Sequence, residues 1–161
     1  MCGIIYVLII IVIFFGDLWI KNRIERYIPA KGEKLQEREL LGGGLLIRRH
    51  RNRGALLNMG EKKRALVAVV SVAMTALTLF VFLLSLGNKG NKLLRMGLSL
   101  LLGGAFSNTY DRLKRKYVVD YLSFNVRWKK LRGIVFNVSD FCIIIGALLA
   151  VLGDVESVLK P

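Results

Sequence analysis

Four long apolar stretches, separated by charged and polar segments, dominate the chain. They predict helices at about residues 3–20, 65–86, 93–113 and 134–153. Each stretch approaches the ~20 residues that an α-helix needs to cross a hydrocarbon layer about 30 Å thick. The pattern therefore predicts an all-α membrane protein, with four transmembrane helices forming a single domain over residues 1–161.

Two segments between these stretches are predicted to be extended. In residues 33–60, apolar residues flank Gly42, Gly43 and Gly44, which favours two short strands around a flexible turn. We expect this region to form a small β-sheet on the membrane surface. Residues 118–121 (VVDY) follow a strongly basic stretch, and they are predicted to be an extended segment that re-enters the membrane interface.

Composition and charge agree with a membrane location. Hydrophobic residues make up 54% of the chain, and its formal net charge is +14. The basic residues flank the apolar stretches, so anionic lipid head groups explain this charge more simply than nucleic acid, which we do not expect as a partner. The first stretch lacks the basic leader and the small-residue cleavage site of a signal peptide, so we expect it to be a retained helix.

Side chains typical of nucleophilic or metal chemistry are scarce in the sequence. Cys2 and Cys142 are too few for a disulfide framework and are expected to be packing residues. The single histidine, His50, lies in a basic run and is expected to be solvated. The sequence offers no Ser or Cys with an available histidine base, no metal-ligand cluster and no phosphate-binding glycine loop. No metal or cofactor is predicted.

Carboxylates at the ends of the apolar stretches are the strongest chemical signal. Such groups are costly in a membrane unless they are paired or functional. Asp120 and Asp140 lie on segments that can pack together, and two close carboxylates share a proton because both cannot ionise cheaply. Such a pair can hydrolyse an amide, one acid activating water and the other donating a proton. The alternative is that each acid is simply paired with a nearby Arg or Lys.

The spacing of other polar residues along the predicted helices suggests that they lie near Asp120 and Asp140. Asp17 and Lys21 are at i and i+4, so they form either an ion pair that fixes helix depth at the membrane edge or a part of the site. The same spacing argument places Asn108, Asp111 and Arg112 on one face of the third predicted helix. It also places Asn137 one turn before Asp140 on the last predicted helix. A small transporter subunit that relays protons is an alternative reading, although no internal repeat is visible.

Four motifs, in order along the chain, resemble those of lipoprotein signal peptidase (signal peptidase II), a bacterial membrane aspartic endopeptidase. DLWIK resembles its D-x-x-x-K motif, and NRGA resembles N-x-G-A. GGAFSNTYDR with VVDY resembles the family's longest motif region, and FNVSD resembles F-N-x-A-D. The matching positions are Asp17, Lys21, Asn52, Gly54, Ala55, Gly103, Gly104, Asn108, Asp111, Arg112, Asp120, Phe136, Asn137 and Asp140.

The resemblance implies that Asp120 and Asp140 are the catalytic dyad. It implies that Asn52, Asn108, Arg112 and Asn137 position substrate or the dyad, and that Asp111 supports the site. We expect Asp111 to do so as the partner of Arg112 or of nearby backbone. The implied substrate is a diacylglyceryl-modified prolipoprotein, cut before its lipidated cysteine. The implied setting is a monomer crossing the bacterial inner membrane several times, among lipids, with its sheet on the periplasmic side. A catalytically silent paralogue that binds lipidated peptides is the alternative.

Some positions depart from the family pattern. Ser107 stands for a Gly, Ser139 for an Ala, Lys116 for a frequent Gly, and Leu56-Leu57 for Ala-Phe. The charge pattern also conflicts with the implied orientation. Thirteen Lys and Arg residues fall in residues 21–64 and eight in residues 112–132, both on the supposed outer side. The positive-inside rule would invert this topology, but the motif match is more specific, so we expect these loops to be extracytoplasmic.

Overall fold

The computed structural model describes residues 2–28, 38–40, 42–55, 60–87, 91–128 and 132–159. Four long helices dominate this part of the chain: α1 (Cys2–Tyr27), α2 (Arg64–Gly87), α3 (Lys92–Lys114) and α4 (Val138–Leu159). Within these described ranges, three segments are long and apolar enough to cross a membrane: Gly3–Tyr27, Glu61–Gly87 and Val138–Glu156. The chain is therefore a multi-pass helical membrane protein.

Helix α3 is less apolar than the other three helices because it carries most of the polar groups of the interior. It packs against α1, α2 and α4. On one side, Tyr6, Phe82, Leu98 and Leu102 form an apolar core between α1, α2 and α3. On the other side, α3 lies very close to α4: a Cβ added to Gly104 would lie 2.5 Å from a carbonyl oxygen of α4. This close approach brings the polar end of α3 to the beginning of α4.

Three antiparallel strands form a sheet at one end of the helices: β1 (Arg38–Leu40), β2 (Leu45–Asn52) and β3 (Val118–Phe124), in the order β1-β2-β3. The pairing of β2 with β3 runs from Leu45 opposite Phe124 to Asn52 opposite Val118, with an irregularity between Ile47 and His50. The end of β2 therefore lies beside the beginning of β3. This is also the end of the molecule at which α3 stops and α4 starts.

Three predicted helix boundaries were wrong. Helix α1 continues beyond residue 20 to Tyr27, because residues 21–27 are mostly polar but contain no Gly or Pro to stop the helix. Helix α4 starts at Val138 instead of residue 134 and ends at Leu159 instead of residue 153. Of the apolar residues before it, Phe136 forms an isolated antiparallel bridge to β3, in which its backbone N–H donates to the Leu122 carbonyl at 2.7 Å. Hydropathy marks the membrane-facing length of a segment, and not where its helical hydrogen bonds begin.

The extended segments were predicted correctly, but their relationship was not. Strands β1 and β2 flank the glycine turn as expected, although residues 33–37, 41 and 56–59 of this region lie outside the described residues. Residues 118–121 are extended, yet they belong to the same sheet as its third strand. Their re-entry into the membrane interface stays a prediction. The expected polar turn between α2 and α3 includes residues 88–90, which are also outside the described residues.

Candidate active site

Asp140 is held by the start of helix α4. Asn137 precedes the helix, and its side-chain oxygen accepts a hydrogen bond from the Asp140 backbone N–H at 2.9 Å. In return, the Asp140 carboxylate accepts from the Asn137 backbone N–H at 3.0 Å. These reciprocal bonds form a capping box, which satisfies backbone N–H groups that a helix N-terminus leaves without partners. The cap therefore fixes the direction of the Asp140 side chain.

Asp120 lies in the middle of the site, on strand β3, and its side chain is almost completely buried. The Asn137 side-chain amide donates to its carboxylate at 2.7 Å, and Asn52 hydrogen-bonds it as well. Burial, followed by the negative charge of Asp140, raises the pKa of Asp120 to about 7. The two aspartates are thus electrically coupled, which is the arrangement in which one carboxyl keeps its proton at neutral pH.

Polar residues at the end of α3 close the site from another side. The Asn108 side-chain amide donates to Asp140 at 2.9 Å. The Arg112 guanidinium donates to the Gly54 carbonyl at 3.2 Å and is electrostatically coupled to both aspartates. Among the described residues, the Arg112 Nε–H is buried without a hydrogen-bond partner. This N–H is thus available to a bound molecule.

The ion pair on α1 was expected either to fix helix depth at the membrane edge or to be a part of the site, and it lies buried under the site. Lys21 Nζ lies 2.7 Å from Asp17 Oδ2, and both side chains have 0% exposure. The ammonium also donates to Asn108 Oδ1 at 2.8 Å. The pair is therefore enclosed by the protein and bonded to the site, because α3, α4 and the sheet cover this turn of α1, which helical spacing alone does not reveal. Its depth in the membrane stays a prediction.

Asp111 was expected to pair with Arg112 or with nearby backbone, and only the backbone part is confirmed. Its carboxylate accepts from the Val119 N–H at 3.2 Å, which ties α3 to β3. Its cationic partners are Lys21 and Arg115, each at 3.3 Å. Because Arg115 follows Asp111 by four residues, the same spacing rule that paired Asp17 with Lys21 would have found it.

Three further residues at the site were given no role in the sequence analysis, although two of them, Ser107 and Ser139, stood out as departures from the family pattern. Ser107 and Ser139 both donate to Asp17 Oδ2, at 2.6 and 2.5 Å, and Tyr121 donates its hydroxyl to Asp17 Oδ1 at 2.7 Å. Burial, and then the charge of Asp17, raise the pKa of Tyr121 above its ordinary value, so its hydroxyl stays protonated. The two serines had a signal, because they are polar residues in apolar helices; Tyr121 had none.

A cavity of about 510 Å³ adjoins the two aspartates. Asp120, Asp140, Asn108 and Arg112 line one part of it. The other part is mainly apolar and is formed by α2, α3, α4 and the segment before α4. Val70, Met74 and Ile144 line the cavity and are also exposed at the protein surface, so the cavity continues to the outer, lipid-facing side of the helices.

The fold and the site together define a helical membrane protein in which two coupled aspartates meet a largely apolar cavity. Family comparison then gives a specific assignment. The chain belongs to the signal peptidase (SPase) II family, whose model matches residues 9–155.

Relatives agree with this assignment, and solved structures agree with the fold. A lipoprotein signal peptidase from Geobacillus thermodenitrificans is 32% identical over 91% of this chain and 87% of its own length. One from Caldicellulosiruptor bescii is 32% identical over 90% and 87%, and one from Clostridium tetani is 33% identical over 63% of each chain. Two bacterial membrane enzyme structures share the fold, with TM-scores of 0.80 and 0.75 at 22% and 23% identity. They cover 96% of this chain and 90% or 92% of their own.

Proposed function

We propose that this protein removes the signal peptide from diacylglyceryl-modified prolipoproteins, cutting before the lipidated cysteine. The observation that carries the proposal is the pair of the buried Asp120 and the half-buried Asp140, which lies where a mainly apolar cavity of about 510 Å³ meets a polar cluster. Membership of the signal peptidase II family and the names of the relatives support the same substrate. The enzyme is then an aspartic endopeptidase of the bacterial inner membrane.

The environments of the two aspartates suggest different roles. Asp120 has a pKa of about 7, so it holds the shared proton at neutral pH. Asp140 accepts hydrogen bonds from a backbone N–H and from Asn108, as suits the ionised partner. Asp140 then takes a proton from water as the water oxygen attacks the scissile carbonyl carbon. Asp120 donates a hydrogen bond to the carbonyl oxygen and stabilises the negative charge that develops on it, without giving up its proton. Its proton then passes to the leaving nitrogen as the C–N bond breaks and the C=O bond re-forms, while Asp140 keeps the proton taken from water, so the dyad again carries one proton.

The surroundings of the dyad suit a lipidated peptide. The apolar lining that continues to the outer surface can take acyl chains without exposing them to water. The Arg112 Nε–H, which has no hydrogen-bond partner among the described residues, can donate to a carbonyl oxygen of the peptide or its lipid. Asn52, Asn108 and Asn137 bind the dyad directly, and Gly54 holds Arg112, so these residues support the site.

Helix α3 completes four spans in this proposal. It is 23 residues long and packs between the three apolar helices, so its polar groups face protein instead of lipid. A polar helix is tolerated in a membrane under that condition. The whole chain is then a single peptidase domain, which functions as a monomer.

The proposal is tested by cleavage in proteoliposomes. The purified protein should cleave a diacylglyceryl-modified precursor, and mass spectrometry should place the cut before the modified cysteine. The same precursor with that cysteine changed to serine cannot be lipidated, and it should stay intact. Binding without cleavage would indicate a silent paralogue. Proton flux across the vesicle membrane without cleavage would support the transporter alternative.

We predict that the sheet end of the molecule is extracytoplasmic, against the charge bias. Lys62 and Arg127 are exposed at the sheet end, and Lys92 and Asp154 are exposed at the opposite end. Single cysteine substitutions at these four positions, in a Cys2→Ser/Cys142→Ser background, should separate into two groups. A membrane-impermeant thiol reagent added to intact cells should label the first pair only. Labelling of the second pair only would mean that the charge rule decides the topology.

A further inference from the structure

The two elements that carry the aspartate pair are both fastened to a single carboxylate on α1. Tyr121 directly follows Asp120, and its hydroxyl donates to Asp17 Oδ1 at 2.7 Å. Ser139 directly precedes Asp140, and its hydroxyl donates to Asp17 Oδ2 at 2.5 Å. Both side chains have 3% exposure or less. Asp17 is thus bonded to the chain neighbour of each aspartate.

The Tyr121 hydroxyl also joins β3 to α4 directly. It accepts a hydrogen bond from the Val138 backbone N–H at 3.1 Å, in the first turn of α4. The distance between the strand that holds Asp120 and the helix that holds Asp140 therefore depends on this hydroxyl. Donating to Asp17 while accepting from Val138 also fixes the direction of its proton.

Ser107 and Lys21 extend the same cluster to the amide that contacts Asp140. The Ser107 hydroxyl donates to Asp17 at 2.6 Å and accepts from Lys21 at 3.0 Å. Lys21 in turn donates to the side-chain oxygen of Asn108. Because a cation holds the oxygen of this amide, its NH₂ group must point the other way, toward Asp140.

We infer that Tyr121, Ser139 and Ser107 are positioning residues, which act through Asp17 to set the separation of Asp120 and Asp140. The inference rests on the proposed function. Two aspartates that share a proton and activate one water need a fixed distance, and misplacement by about 1 Å can cost on the order of 100-fold in rate. Neither serine hydroxyl touches Asp120 or Asp140 in the hydrogen bonds of the site.

The test compares Tyr121→Phe, Ser139→Ala and Ser107→Ala, each of which removes only a hydroxyl group. Ser99→Ala is the matched control, since Ser99 is fully buried on α3 but donates to the Arg95 carbonyl, away from the cluster. We expect the three variants to lose about 10- to 100-fold in kcat toward the lipidated precursor, with KM changed less than about threefold. Ser99→Ala should keep the kcat of the unchanged protein, and the melting temperatures of all four variants should be similar.

An infrared measurement tests the inference without relying on turnover. The carbonyl stretch of the protonated carboxyl can be assigned by its loss in Asp120→Asn. It should shift in Tyr121→Phe and Ser139→Ala, and stay unchanged in Ser99→Ala. A protein that gives these shifts but never cleaves would refute the proposed function and leave the inference standing. If cleavage is normal, and the variants match Ser99→Ala in both kcat and carbonyl stretch, the inference is wrong.

Discussion

Asp120→Asn and Asp140→Asn are each expected to abolish cleavage of the lipidated precursor while leaving the protein folded. An amide can neither take a proton from water nor donate the proton that the leaving nitrogen needs. General acid or base catalysis is worth about 10²–10⁴-fold for each group. Residues that act as a unit lose most of their activity when one is removed. Initial rates in detergent, measured per folded molecule, check the prediction.

The pH dependence of the unchanged protein belongs to the same prediction. Asp120 must be protonated to donate, and its pKa is about 7, so the rate should fall as the pH rises above neutrality. At low pH the rate should fall again, because the ionised partner becomes protonated. The profile is then bell-shaped, and its two apparent values belong to the coupled pair.

Asp154→Asn is the matched control for both variants. Asp154 lies on the same helix as Asp140 but is exposed at the other end of it. Its replacement should leave the rate unchanged, which separates loss of a site carboxylate from a general effect of the substitution. Turnover near the wild-type level in either dyad variant would rule out the proposed mechanism. Full loss in Asp111→Asn without a change in melting temperature would move the acid to Asp111.

The sequence predicted the residues of the site better than the contacts between them. Spacing placed Asn108 near Asp111 and Asn137 near Asp140, and both neighbourhoods are present. The spacing argument did not identify Asn137 as the N-terminal cap of α4, although Asn followed by Asp three residues later is a helix-start signal. The choice of Arg112 as the partner of Asp111 failed because residues i and i+1 point about 100° apart on a helix.

Long-range pairings had no signal in the sequence. Strands β2 and β3 are separated by two helices, so nothing local indicates that Asn52 lies opposite Val118.

The positions that depart from the family pattern gave a different kind of signal, and Lys116 is the clearest of them. It stands where the family often has Gly, and its backbone φ of 67° is the left-handed conformation that glycine adopts most easily. The departures Ser107 and Ser139 acquire a structural explanation only once Asp17 is seen to accept hydrogen bonds from both. Leu56 and Leu57 lie outside the described residues.

Removal of Lys21 should be the most damaging single change to stability. Its ammonium lies 2.7 Å from Asp17 and 3.3 Å from Asp111, and none of the three side chains is exposed. Breaking a buried ion pair by removing one partner costs about 3–5 kcal/mol, because the remaining charge is buried without compensation. Lys21→Met should therefore lower the free energy of unfolding by about that amount. Unfolding in mixed detergent micelles measures it.

A double-mutant cycle separates this effect from simple loss of packing. Asp17→Asn alone should also destabilise, contrary to the mild effect that an interfacial ion pair would have. Combined with Lys21→Met, it removes both charges, so the double variant should be more stable than the sum of the two single changes implies, by about 0.5–3 kcal/mol. Glu25→Gln with Arg51→Met is the matched control, because that pair has a similar distance of 2.8 Å but is partly exposed. Its coupling should not exceed about 1 kcal/mol. Equal coupling in the two cycles would mean that burial of Asp17 and Lys21 adds nothing.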